Sequence, residues 1–189
     1  MRVSVNIYDQ IYMLAFPYLQ TRSNEIHIPI SRRFAENLLL KEQGDPEIVI
    51  PAILLHDVGW SMLTEDMQLK AFGRVDSDMG LNRIHEVEGV KIAKRILEEV
   101  GYNSQKTVEI INIIDEHDSR QSVISDNDRL VKDADKLFRY TSEGLVLYLI
   151  YFNATFEDWV AWFKSHVDSW FFTQTAKTLA LKELGKRLA

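Results

Sequence analysis

Four of the five histidines and two aspartates in this sequence fall where a helical chain turns its side chains inward: His27, His56 with Asp57, His85, His117 and Asp135. The stretch AILLHDVGW, residues 52–60, sets His56 and Asp57 at the end of an apolar run. Burying one ionisable group costs free energy, and burying two neighbours costs more. His27 leads the stripe Ile30, Phe34, Leu38; His85 shares a face with Gly89, Ile92 and Ile96, where Gly89 leaves room beside the imidazole. His117 follows Ile110, Ile113 and Ile114, and Asp135 sits between Val131 and Phe138. These placements follow from the 3.6-residue helical period. One inward histidine is usually a satisfied core residue. An unpaired carboxylate on an apolar stripe is far costlier. Five segments aiming metal-competent groups at one core are explained together by bound cation, which offsets every burial at once. Imidazole and carboxylate ligands suit Fe, Mn, Zn, Co or Ni, and Mg less well.

The elements that must position these groups read as helices. VNIYDQIYMLAFPYLQ suggests a first, weakened near Pro17, and HIPISRRFAENLLLKEQG a second, with Pro29 tolerable only near its start and Gly44 as its stop. DPEIVIPAILLHDVG suggests a third, capped by Asp45, with Pro46 at its first position and Gly59 after its end. Pro51 inside it implies a kink, or a helix that begins there. IHEVEGVKIAKRILEEVG, SQKTVEIINIIDEHD (N-cap Ser104) and DNDRLVKDADKLFRY give three more. From about Ser142 the chain reads as two or three aromatic-rich helices, and no period-2 strand stands out. Residues 60–83 are the longest irregular stretch, of the kind that serves as a lid or binding loop.

Bulk composition narrows the function classes. A chain of 189 residues is expected to form one domain over 1–189, with a metal-site core at 25–140 and aromatic-rich C-terminal helices at 142–189. The net charge is -6 and no run of Lys and Arg occurs, which disfavours nucleic acid and anionic membranes as partners. There is no cysteine, so disulfides and thiolate metal sites are excluded. The N-terminus carries Asp9 in its first apolar stretch and lacks a signal-peptide core, and the run LVLYLIYF is far too short to span a bilayer. The expected compartment is the cytoplasm.

The spaced set His27, "LLHDVG", "RIHEVEG", "IIDEHD" and "VKDADKL" resembles the HD-domain superfamily of metal-dependent phosphohydrolases. The resemblance covers about the first three quarters of the chain and implies an all-α helical bundle of the HD-domain type. Trp60 stands where many relatives carry a lysine. No Gly-Tyr-Pro signature follows, which argues against the cyclic-dinucleotide phosphodiesterase branch, and the paired histidines of that branch are here His117-Asp118.

The resemblance further implies one or two divalent metals, the first held by His27, His56, Asp57 and Asp135, and the second, where present, by His85 and His117 with Asp57 as the bridge. A metal-activated hydroxide would then attack the phosphorus of a small, nucleotide-like phosphate ester. Asp57 and Asp118 are the expected catalytic carboxylates, Asp118 as an acid behind the ligands, a proton donor or a ligand. Arg32, Arg33, Arg83, Arg120 and Lys136 lie near enough in sequence to face a substrate phosphate. Asp133 points to another face of its helix than Asp135, solvent-exposed or behind the ligands. Trp159, Trp162, Phe163, His166 and Trp170 form one stripe, read first as core packing and otherwise as a homodimer face or a stacking wall for a base. Two other readings share this pattern: a diiron oxygenase on the same scaffold, and a non-catalytic ligand-binding HD module.

Overall fold

A computed structural model of the chain describes residues 6–71 and 78–188, and among them there are helices and turns but no strand. Helix α1, Ile7–Ala15, is capped by the Asn6 side chain, which accepts from the Tyr8 N–H. A 3-10 turn, Phe16–Tyr18, takes up Pro17. Helix α2, Asn24–Leu39, begins before the expected start at His27 and stops before Gly44. Pro29 therefore lies in its second turn and leaves the carbonyl of exposed Glu25 without a helical partner.

Helix α3, Pro46–Leu55, is entered as expected, with Asp45 accepting from the Glu47 N–H and Pro46 at the first position. Pro51 neither starts nor stops it. The N–H that proline lacks would have bonded to the Glu47 carbonyl, four residues back. The Tyr102 hydroxyl donates to that carbonyl instead, at 2.6 Å.

A 3-10 turn, Val58–Met62, and helix α4, Glu65–Ala71, lead towards helix α5, Met79–Glu99. Much of the stretch expected to be irregular, 60–83, is thus ordered by short helical pieces, and its residues 72–77 lie outside the described residues. Helix α6, Ser104–Ile114, is capped by Asn103 rather than Ser104, because the Asn103 side chain accepts from the Gln105 and Lys106 N–H groups. Helix α7, Asp126–Phe138, is capped by Ser125. Helices α8 (Ser142–Phe152), α9 (Phe156–Trp170) and α10 (Gln174–Leu188) follow; α10 carries no aromatic residue.

Helix α3 is the axis of the bundle. Every residue from Ile48 to Leu55 is buried, which explains the lack of a polar face in its sequence. It packs against α1, α2, α6 and α7, while α2 also lies along α7. The 3-10 turn after α3 crosses α5 at Gly59. A Cβ there would stand 1.8 Å from the His85 carbonyl oxygen, so only glycine permits the crossing. Gly89 lies at this same crossing, facing the backbone of His56 and Gly59 and not an imidazole, and a Cβ there would make only ordinary contacts. Among the described residues no single helix is long and apolar enough to cross a membrane.

Candidate metal centre

The helix ends converge. α2 brings His27, the C-terminus of α3 brings His56 and Asp57, α5 brings His85 and α7 brings Asp135. His117 arrives differently from the expected helical continuation. α6 stops at Ile114, Glu116 takes a left-handed conformation (φ 62), and His117 sits in the turn beyond. All six side chains are buried.

Their metal-competent atoms meet closely. His27 Nε2 is 3.2 Å from His56 Nε2 and 3.2 Å from Asp135 Oδ1. Asp57 faces both ways, its Oδ2 3.7 Å from His27 Nε2 and its Oδ1 3.6 Å from both His56 Nε2 and His117 Nε2. His85 Nε2 stands 3.5 Å from His117 Nε2. Three overlapping groups result: His27, His56 and Asp135; His56, Asp57 and His117; His85, His117 and Asp118.

This donor set fits a metal. His56 Nδ1 and His117 Nδ1 each lie 2.9 Å from a backbone carbonyl, of Ile53 and Ile114 respectively. Donation to a carbonyl fixes the proton on Nδ1 and leaves the Nε2 lone pair pointing into the cluster. The Nε2 atoms of His27 and His56 lie 3.2 Å apart, close enough for both to reach one cation.

The electrostatics point the same way. Burial alone would raise Asp57, but the His56, His117, His27 and Arg22 charges hold it well below the usual carboxylate range. Asp135 is likewise held low against burial, by Arg139, whose Nη1 donates to its Oδ2 at 2.9 Å, and by His27 and His56. Burial lowers His117, yet Asp118 and Asp57 push it up to about 9. His85 is pulled down to about 4 by burial and by its neighbour His117. The cluster thus keeps its carboxylates ionised and draws positive charge to itself.

Trp60 packs flat on the His85 ring and donates from Nε1 to Asp57 Oδ1 at 3.1 Å. The Arg22 guanidinium lies 3.6 Å above the Trp60 ring. Two cavities open onto the cluster. One, of about 160 Å³, has His27, Asp57, Asp118, Asp135 and the cations Arg22 and Arg139 against a wall of Phe138, Leu147, Tyr148, Tyr151 and Phe152. The other, of about 310 Å³, is lined by His56, His117, Asp118 and Asp135 with Arg120, Lys132, Lys136 and Arg139.

The five cations expected to face a phosphate divide. Lys136 and Arg120 line the larger cavity, although Arg120 spends its guanidinium on the Asp115 carbonyl and on Asp128. Arg32 pairs with Asp9 and Glu36, and Arg83 with Glu86 and Asp115. Arg33 lines a separate surface hollow beside Glu143 and Glu183. Arg22 and Arg139 carry no motif; Arg139 was legible only as the residue one helical turn after Asp135.

Asp133 is neither exposed nor behind the ligands. It is fully buried and accepts from the Phe172 and Thr173 N–H groups and the Thr173 hydroxyl, capping the entry to α10. The aromatic stripe of α9 splits: Trp159 and Phe163 are buried in the core, while Trp162 is exposed and stacks with His166.

The HD domain model fits residues 29–140, more than half of the chain. His56, Asp57, His85, His117 and Asp135 lie inside that span, and His27 lies just before it. No curated protein and no solved structure matches.

Proposed function

Since this chain belongs to the HD domain family, we propose that it is a metal-dependent phosphohydrolase acting on a small phosphate ester at the His/Asp cluster. The observation that carries this reading is that one cluster floors two cavities which share Asp118, Asp135 and the cation Arg139. His27, His56, Asp57 and Asp135 would hold one divalent first-row ion, and His85 with His117 offers a second position beside Asp57. Such an ion would polarise a phosphoryl oxygen and make water nucleophilic at neutral pH.

The chain's own groups supply the rest. Arg139 balances the negative charge of Asp135 and has further donors for a phosphoryl oxygen in either cavity. Lys136, with its ammonium at the Trp170 carbonyl, adds charge in the larger one. Trp60 orients Asp57 through its indole N–H. The wall of Phe138, Tyr148, Tyr151 and Phe152 excludes water and offers faces for a flat leaving group, which supports a nucleotide-like substrate. The cations lining the two cavities, Arg22, Arg139 and Lys136 among them, support phosphate ester hydrolysis over oxygenase chemistry.

The test is to purify the protein without a chelating column and measure its metal. The protein loaded with Mn, Co, Ni, Zn or Fe is then assayed on a panel of phosphate monoesters and nucleotides. Metal-dependent release of phosphate, abolished in Asp57→Ala, is the expected result. Dioxygen uptake by the iron form without phosphate release would replace this reading with the oxygenase one. Failure to bind any metal would overturn both.

A further inference from the structure

The turn after α6 carries a carboxylate, Asp118, whose role the sequence leaves open between acid, proton donor and ligand. Asp118 Oδ2 is 3.5 Å from His85 Nε2 and 3.7 Å from His117 Nε2, and those two nitrogens are 3.5 Å apart. Ligands held 2.0–2.2 Å from one tetrahedral cation stand roughly 3.3–3.6 Å from each other. We propose that Asp118 completes a second cation position with His85 and His117, and that Glu86 is the positioning residue that sets it there. This rests on reading the cluster as a metal centre.

The turn is held from two sides. Glu86 is fully buried, and its Oε1 accepts from the Asp118 N–H at 3.0 Å and the Ser119 N–H at 2.8 Å. Its Oε2 accepts from the Ser119 hydroxyl at 2.9 Å and from Arg83 at 3.1 Å. From the opposite side the buried Lys132 ammonium donates to the carbonyls of His117 and Arg120, at 2.6 and 2.9 Å. The turn needs this grip, because Glu116 within it is left-handed at φ 62, a conformation disfavoured for a residue with a Cβ. A carboxylate and an ammonium are thus taken out of water to fix one short piece of backbone. Glu86 follows His85 in the chain, so a ligand and the clamp on its two partners come from adjacent residues of α5. The Asp118 side chain itself is 34% exposed and faces the two imidazoles. Its position is therefore dictated by the backbone that Glu86 holds and not by packing around the carboxylate.

The experiment measures metal stoichiometry by mass spectrometry and titrates Co²⁺ into the apo full-length chain, following visible absorption. Wild type, Asp118→Asn, Glu86→Gln and Glu86→Leu are compared, with circular dichroism as the control for folding. Wild type should take two equivalents. Asp118→Asn, at a partly exposed position, should fold and keep only the first equivalent, at wild-type affinity. Glu86→Gln preserves volume and one acceptor, and should weaken the second equivalent roughly 10- to 100-fold. Glu86→Leu should lose that equivalent; if it does not fold, the other two variants decide. Two equivalents in Asp118→Asn at unchanged affinity would overturn the proposal and leave the metal centre standing, as would a single equivalent in wild type. No metal in wild type would overturn the metal reading itself.

Discussion

Trp60 lies flat against His85, the ring centroids 3.8 Å apart and the planes 12° from parallel. Trp60 thus supports one imidazole of the candidate cluster. Trp60→Phe keeps an aromatic face on His85 but removes the donor to Asp57 Oδ1. It should cost about 1.5–3 kcal/mol in denaturant unfolding, the size of one hydrogen bond to a charged acceptor. Trp60→Leu loses the stack as well and should cost about 2–4 kcal/mol. Equal effects of the two variants would mean that the stack on His85 contributes nothing beyond the lost N–H donor.

The two glycines at the crossing of the 3-10 turn and α5 should behave oppositely. A Cβ on Gly59 meets the backbone of His85 and Gly89, neither of which can swing aside. Gly59→Ala should destabilise by about 3 kcal/mol or more, or prevent folding. A Cβ on Gly89 meets its nearest atom at 3.5 Å, an ordinary contact. Gly89→Ala, within a helix, should lie within about 1 kcal/mol of wild type. Thermal unfolding of the pair checks both.

Metal uptake should depend on pH through His117. Burial lowers this imidazole, but Asp118 and Asp57 overcome that and push it up to about 9 from an unfolded value of 6.5. In the apo chain its protonated form stabilises the fold fully below 6.5, and that contribution is lost as pH rises through about 9. A metal takes the neutral imidazole, so binding must expel the proton. Affinity for Co²⁺ should therefore rise between 6.5 and about 9. Calorimetry in buffers of different ionisation heat should detect the released proton. His85, held down to about 4, is already neutral and releases none. An affinity independent of pH over this window would contradict the assignment.

Much of the centre was legible because helical period alone turns His27, His85 and Asp135 inward, and because an apolar run as long as that of α3 must be buried throughout. His117 was found for a partly mistaken reason. The helix expected to carry it ends at Ile114, and a left-handed Glu116 delivers it instead. Such a turn is stabilised by Glu86 and Lys132, residues distant in sequence, so no local pattern announces it. The cations were harder still. Arg32 follows His27 by little more than one turn, yet Asp9 and Glu36 hold it elsewhere. Arg22 reaches the cluster from a left-handed residue before α2, where helical phase says nothing.

The two aspartates of "VKDADKL" should separate cleanly. Asp133→Asn puts an amide where three donors converge and should destabilise the fold by about 1–3 kcal/mol. Its metal content should match wild type. Asp135→Asn should lower metal content instead, because it neutralises a residue of the cluster. A loss of metal in Asp133→Asn would show that α10 docking and the centre are coupled.

Arg139 and Arg32 offer a matched pair in the proposed reaction. Arg139→Gln removes the charge that both cavities share and should reduce kcat/KM for a phosphate ester by about 10- to 100-fold. Arg32→Gln, whose charge is spent on Asp9 and Glu36, should leave kcat/KM within about twofold. Steady-state kinetics on one substrate suffices.

The bond from Tyr102 to the Glu47 carbonyl changes what kind of object α3 is. In most helices the carbonyls ahead of the last turn are paired within the helix itself. In α3 one is not, because Pro51 removes one of its internal donors and the replacement comes from beyond the far end of α5. The chain must close a loop from residue 47 to residue 102 before the helix that delivers His56 and Asp57 has its full complement of bonds. The last bond of this helix is therefore a long-range contact, and it is a single proline that makes room for it.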